Sequence, residues 1–252
     1  MPFTLAHPAA VLPLRGWKCL RTAPLIIGAV IPDLPYYLPG GLHRRLPETH
    51  SFTGSFTTDL LLGYMTLVAL FLLRQPLTAL LPARTRWLCL NAFATFRRGR
   101  LREWACAPLA ILVGVWTHLL WDSFTHYPGW MVQRMVLLRM PVTIGPYTTQ
   151  VYHLLQYLSS AFGLLVMAVW YWRLRAPPAR AAEAGPARSP AGPVLVLAAV
   201  AAILIGGVQA LVYFNHWHGI YGTLDVLLTH SLAWFGALYL LAGTIVTLER
   251  AH

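Results

Sequence analysis

The chain has 252 residues, of which 57% are hydrophobic and 11% charged, with a mean hydropathy of +0.57 and a net charge of +11. A soluble domain carries about 25% charged residues, so neither a water-exposed globule nor a disordered chain fits, whereas a multi-pass membrane protein does. The basic residues are all arginine except Lys18 and stand between apolar runs, which speaks for membrane orientation and against a nucleic-acid groove.

The start of the chain has no basic residue ahead of its first apolar run and does not read as a signal peptide. Residues 5–14 suit a short interfacial or packed helix. Residues 22–38, interrupted by Pro32-Asp33-Leu34-Pro35, are short for a crossing and read as a half-span or re-entrant helix. Five later stretches, 54–73, 105–124, 154–173, 194–214 and 227–248, are long and apolar enough to span a bilayer. The expected fold class is an all-α integral membrane protein with about five transmembrane helices plus the N-terminal short helix. Its expected organisation is a membrane domain over 1–175, an Ala/Pro/Gly-rich linker over 176–193, and a two-helix membrane hairpin over 194–252. Cys19, Cys89 and Cys106 form no CxxC pair and lack metal-type spacing, so free thiols are expected.

If the spans alternate, twelve of the 19 basic residues fall on one side, in the connections 74–104 and 173–193 and at Arg250. The rule that positive loops stay inside makes that side cytoplasmic. His and Asp collect at the opposite, extracytoplasmic face, and the expected location is a bacterial inner membrane.

His118, Asp122 and His126 recur every four residues and form one helical stripe. Neutral imidazoles beside a carboxylate are a donor set for a divalent metal; the alternative is a polar stripe in which His118 bonds Asp122. Glu48-Thr49-His50-Ser51 opens the first long span, with Thr49 or Ser51 as its cap. His153, Gln156, Tyr157 and Ser160 share one face of the third span, either as helix-packing residues or as a shell orienting metal-bound imidazoles. His216, His218, Asp225 and His230 form a looser group of interfacial or accessory residues. Asp59 lies nine residues after His50, half a revolution away on a regular helix, and is not expected in the same site.

Taken in order, Met-Pro-Phe-Thr-x-x-His-Pro, Pro-Asp, Thr-His-Ser and His-x-x-x-Asp before Pro-Gly-Trp resemble a bacterial multi-pass membrane family of unknown function. That family is similar to LexA-regulated inner-membrane proteins regarded as metal-dependent hydrolases. The resemblance implies metal ligation by His7, Asp33, His50, His118 and Asp122; the helical stripe itself offers His126 as an additional ligand. Two departures stand out: Pro35 occupies the second acidic position of a Pro-Asp-x-Asp motif, and His43-Arg44-Arg45 lacks the glycine of a His-Arg-Gly. The function expected is hydrolysis of a lipid or lipid-linked ester, phosphoester or amide, with Zn²⁺ (or Mn or Fe) as cofactor and Asp33 and Asp122 as catalytic carboxylates. The alternatives are an ion- or proton-coupled transporter and a non-catalytic scaffold. The expected partners are the bilayer and its lipids, with no nucleic acid; oligomeric state is not legible.

Overall fold

The structure, a computed structural model, describes residues 4–17, 19–38, 49–97, 101–174, 191–214 and 219–250, apart from the side chains of a few helical residues that include Asp225. His216, His218, Glu48, His43 and most of the expected linker lie outside the described residues.

In chain order the helices are α1 (Thr4–Leu14), α2 (Thr22–Val30), α3 (Phe52–Leu72), α4 (Arg74–Ala79), α5 (Ala83–Ala92) and α6 (Leu101–Thr125). The short α7 (Trp130–Arg134) and α8 (Val136–Arg139) and a hairpin of β1 (Pro141–Ile144) and β2 (Tyr147–Gln150) follow. The chain then forms α9 (Val151–Arg173), α10 (Ala191–Phe214) and α11 (Gly219–Glu249). Among the described residues five helices, α3, α6, α9, α10 and α11, are long and apolar enough to cross a membrane. The protein is an all-α, multi-pass membrane protein. At 1.5 Å per residue, α2 reaches only about 14 Å, half of a hydrocarbon core. It then tightens into the 3₁₀ turn Ile31–Tyr37, which carries Asp33.

The chain divides into two compact units. The first comprises Met1–Asp33, Pro47–Leu67 and Arg100–Arg175. Its centre is the pair α2 and α6, which approach so closely that a Cβ on Gly28 would strike the Ile111 backbone and one on Gly114 the backbone of Leu25 and Ala29. Small residues permit such contact between membrane helices, where dispersion replaces the hydrophobic effect as the driving force. Val11, Leu20, Leu25, Ala29 and Ala110 form the apolar core where α1 and α2 meet α6. Gly163 admits the backbone of Ala6, which seats α1 against α9.

Ser51 caps α3, its hydroxyl accepting from the Gly54 N–H at 2.9 Å. The next residues, Ser55–Asp59, run as π-helix. Ser55 and Thr57 hydroxyls donate back to carbonyls of the preceding turn, a competition with the backbone ladder that loosens it.

The second unit comprises Leu34–Leu46, Val68–Gly99 and Ala176–His252. In it α10 and α11 pack with Gly206 against Ser231, and His230 and Trp234 both reach Gln209 Oε1, at 2.8 and 3.2 Å. The Arg-rich connection folds as α4 and α5; Tyr239 donates to the Leu77 carbonyl at 2.7 Å and Gly243 admits the Pro76 backbone.

One expectation is corrected. Cys19 and Cys106 form a disulfide, and only Cys89 is a free cysteine among the described residues. The partners are 87 residues apart and meet because α2 lies along α6, a tertiary contact that a search for short Cys spacings does not register. The Arg21 guanidinium, donating twice to Glu103 at 2.6 Å, pins the same ends together.

Candidate metal centre

Three chain segments of the first unit converge on one volume at the end of α6. His118 is fully buried there, and its Nδ1–H donates to the Ala29 carbonyl at 2.8 Å. That bond fixes the tautomer and leaves the Nε2 lone pair facing the carboxylates. His118 Nε2 lies 3.2 Å from Asp122 Oδ2 and 3.7 Å from Asp33 Oδ1. The four-residue spacing on α6 sets the first distance; the turn after α2 sets the second.

His7, also buried, stacks its ring on that of His118, with centroids 3.9 Å apart, and reaches Asp122 Oδ1 at 3.6 Å. Burial, followed by the neighbouring His118 ring, pushes the His7 imidazole down to about 4, so it is neutral at physiological pH and able to donate a lone pair. Asp33 is held from both sides: Thr4 donates to Oδ2 at 2.5 Å, and Oδ1 lies 3.2 Å from His50 Nε2. Burial works to raise the Asp33 carboxyl, but the His50 contact, the His118 ring and the Thr4 hydroxyl outweigh it and hold the group below its ordinary value.

His50 completes the group. The Thr49 hydroxyl donates to the Pro32 carbonyl at 2.9 Å, tying the start of α3 to the turn of Asp33. His50 Nδ1 sits 3.3 Å from the Thr49 oxygen, so Nε2 again turns inward, 3.7 Å from Asp122 Oδ2. Its side chain is 32% exposed and forms the open side of the cluster.

Two overlapping trios result, His7, His118 and Asp122, and Asp33, His50 and His118, with the donor atoms of each within 4.8 Å of one another. The residues fit a divalent cation. His118 Nε2 is fully buried among Asp33 and Asp122 and, among the described residues, has no well-aligned hydrogen-bond partner, although native interiors pair such atoms. Neutral imidazoles with two carboxylates are the donor chemistry that Zn²⁺, Mn²⁺ or Fe²⁺ takes.

The remaining candidates fall into other places. His126 Nδ1 is 3.2 Å from Asp122 Oδ1 while its Nε2 meets Gln156 Nε2 at 3.2 Å, so it orients Asp122 and lies in neither trio. Gln156 and Ser160 are buried on α9, as a supporting shell requires. His153 and Tyr157 are exposed, and His153 bonds Thr149 at 3.3 Å, so neither reaches the cluster. His230 belongs to the second unit with Gln209.

Two features were not read from the sequence. Thr4 holds Asp33, and its signal was only a hydroxyl in an apolar start. Asp59 belongs to neither trio, yet it is fully buried, has no hydrogen-bond partner for either oxygen among the described residues, and interacts electrostatically with His118. The π-helical turn changes the phase of α3, so the half-revolution count from His50 does not apply.

No curated protein and no solved structure matches the chain. A family model does match, over residues 1–248, well beyond the segment 1–175 in which the motifs lie. Its span takes in the first unit with its cluster as well as the two C-terminal helices, and the chain belongs to that family, the domain of unknown function DUF4184.

Proposed function

We propose that the protein is a membrane-bound, metal-dependent hydrolase acting on a lipid or lipid-linked ester, phosphoester or amide. The observation that carries this reading is the convergence of three imidazoles and two carboxylates at the end of a membrane helix, with one ligand, His50, on an open side. Closed structural sites lack such an opening, whereas catalytic ones keep it. The motif resemblance to LexA-regulated inner-membrane proteins regarded as hydrolases supports the same reading.

His7, His50, His118 and Asp122 would hold one ion, since the two trios share His118 and Asp122 also faces His50. A bound divalent cation supplies Lewis acidity and lowers the pKa of water. Asp33, with Oδ2 fixed by Thr4 and Oδ1 turned to the open side, takes a proton as general base. His126, bridged to Gln156, keeps Asp122 in place. A substrate drawn from the bilayer suits a site at the end of α6, where head groups lie.

The arginine distribution supports an extracytoplasmic site. The Cys19–Cys106 bridge at the other end of α6 argues the opposite way, because disulfides persist in oxidising compartments. One assay separates these points. In spheroplasts, a membrane-impermeant chelator is expected to abolish hydrolysis of lipid esters or phosphoesters and Zn²⁺ to restore it. Inhibition only after lysis would reverse the orientation; hydrolysis unaffected even after lysis would remove the metal mechanism.

Asp59 favours a second reading, a cation or proton carrier using the same residues, because unpaired carboxyls inside spans mark ion pathways. Under the hydrolase reading, Asp59→Asn keeps both metal content and turnover. Loss of metal-ion uptake into vesicles with unchanged metal stoichiometry would instead favour the carrier.

A further inference from the structure

The connection between α6 and α9 is folded, yet poorly covered. Over residues 126–150 it forms α7, α8 and the β1–β2 hairpin, with Ile144 paired to Tyr147 across a turn at Gly145, whose φ is +59°. Val132 and Leu138 point inward and are buried. Met131 and Val142 are half-buried, and most of the other large apolar side chains point out: Tyr147 is 77% exposed, Val136 69%, Leu137 60%, Trp130 57% and Ile144 54%. Water does not tolerate an apolar surface so continuous on a short loop.

Charge and geometry say what covers it. Residues 123–153 contain Arg134 and Arg139 and no Asp or Glu. The Arg134 guanidinium lies 4.2 Å over the Trp130 ring, an amphipathic pair of the kind that settles at a membrane interface. Both ends of the connection are span ends, Thr125 and Val151, so it starts and finishes at the same membrane face. The interface adds roughly 5–8 Å beyond the hydrocarbon on each side. A four-residue strand is about 13 Å long, so a hairpin lying along the surface stays within that layer.

We propose that residues 126–150 form a lipid-binding platform that lies in the phospholipid head-group layer, its apolar side chains reaching the upper acyl chains and its two arginines pairing with lipid phosphates. The platform begins at His126, one helical turn after Asp122, with Gly129 folded against the carbonyls of Asp122 and His126, so it borders the metal cluster. It does not depend on hydrolysis, since it rests on exposure, charge and span geometry.

The test places a nitroxide at Leu137→Cys and, separately, at Ile144→Cys, both in a Cys89→Ser background that keeps the native disulfide, in phosphatidylcholine vesicles with and without anionic phosphatidylglycerol. Relaxation by dissolved oxygen, which concentrates in lipid, is compared with relaxation by a water-soluble nickel chelate present on both sides. The expected ratio of oxygen to nickel accessibility is severalfold above that of a free label in buffer, and higher still with anionic lipid. High nickel accessibility in both lipids would put the connection in water and overturn the proposal. Low accessibility to both reagents would mean that protein covers it, another segment or a second copy, and would overturn it equally. Should a labelled variant not fold, the unlabelled protein serves: brominated lipid is expected to quench its tryptophan fluorescence more than that of Trp130→Phe, and equal quenching counts against the platform. Metal content of the same samples reports on the cluster independently.

Discussion

His118→Ala is expected to purify with less than a tenth of an equivalent of metal, whereas the unaltered protein carries about one per chain. His118 is the residue common to both trios, and its ring is the only one of the three imidazoles with no exposure at all. Loss of a residue that merely orients a ligand lowers metal affinity about 10- to 100-fold; loss of a shared ligand costs more. The alanine leaves Asp33 and Asp122 bridged only by the partly exposed His50 ring and removes the buried imidazole that faces both carboxylates. Metal analysis after gel filtration reads the result directly. His153→Ala is the control, because that ring is exposed and bonded to Thr149, and its metal content should not change. Full retention of metal in His118→Ala would show that the ion sits elsewhere, and the hydrolase reading would go with it.

The spans were legible because hydropathy over about 20 residues is a property of local sequence, and each of the five apolar stretches lies within or close to one of the long helices. The His118–Asp122 pair was legible for a similar reason: four residues on a helix bring two side chains together without help from the rest of the fold. His7, Asp33 and His50 are different. No periodicity joins them to α6, and only the resemblance suggested them; their meeting depends on Thr4, Thr49 and the Ala29 carbonyl, each a long-range contact. Asp59 lies in neither trio; what the sequence did not show is its complete burial, in a π-helical turn where hydroxyl groups compete for the backbone carbonyls. The Cys19–Cys106 bridge was missed because it is decided by what the segments pack against, and the hairpin over 141–150 because its two four-residue strands carry no buried alternating face.

The close crossing of α2 and α6, which brings the Ala29 carbonyl to His118, leads to the second large effect. Gly114→Val is expected to abolish detergent-stable protein, and Gly28→Val to do the same. A Cβ on Gly114 would lie 2.7 Å from the Ala29 amide nitrogen and 2.8 Å from the Gly28 Cα; one on Gly28 would meet the carbonyl, the carbonyl carbon and the Cα of Ile111. These obstacles are backbone atoms, so no rotamer change relieves them, and the helices must separate. Overpacking against movable side chains costs about 1–3 kcal/mol, and a backbone clash at a helix crossing exceeds that, against a typical total stability of about 5–15 kcal/mol. Gly207→Ala makes the contrast: nothing lies within 4 Å of its Cβ position, so it should leave thermal stability unchanged or raise it slightly by removing backbone freedom. The milder Gly114→Ala connects packing to chemistry. The alanine Cβ would strike the Leu25 carbonyl oxygen, and the parting of α2 from α6 that relieves it stretches the 2.8 Å bond from His118 Nδ1 to the Ala29 carbonyl, the contact that aims Nε2 at the carboxylates. Metal affinity should therefore fall in Gly114→Ala in step with its loss of thermal stability, although the residue touches no ligand. Unchanged affinity in a destabilised Gly114→Ala would mean that the Ala29 bond is dispensable for the site. A folded, heat-stable Gly114→Val would show that α2 and α6 do not cross at these glycines.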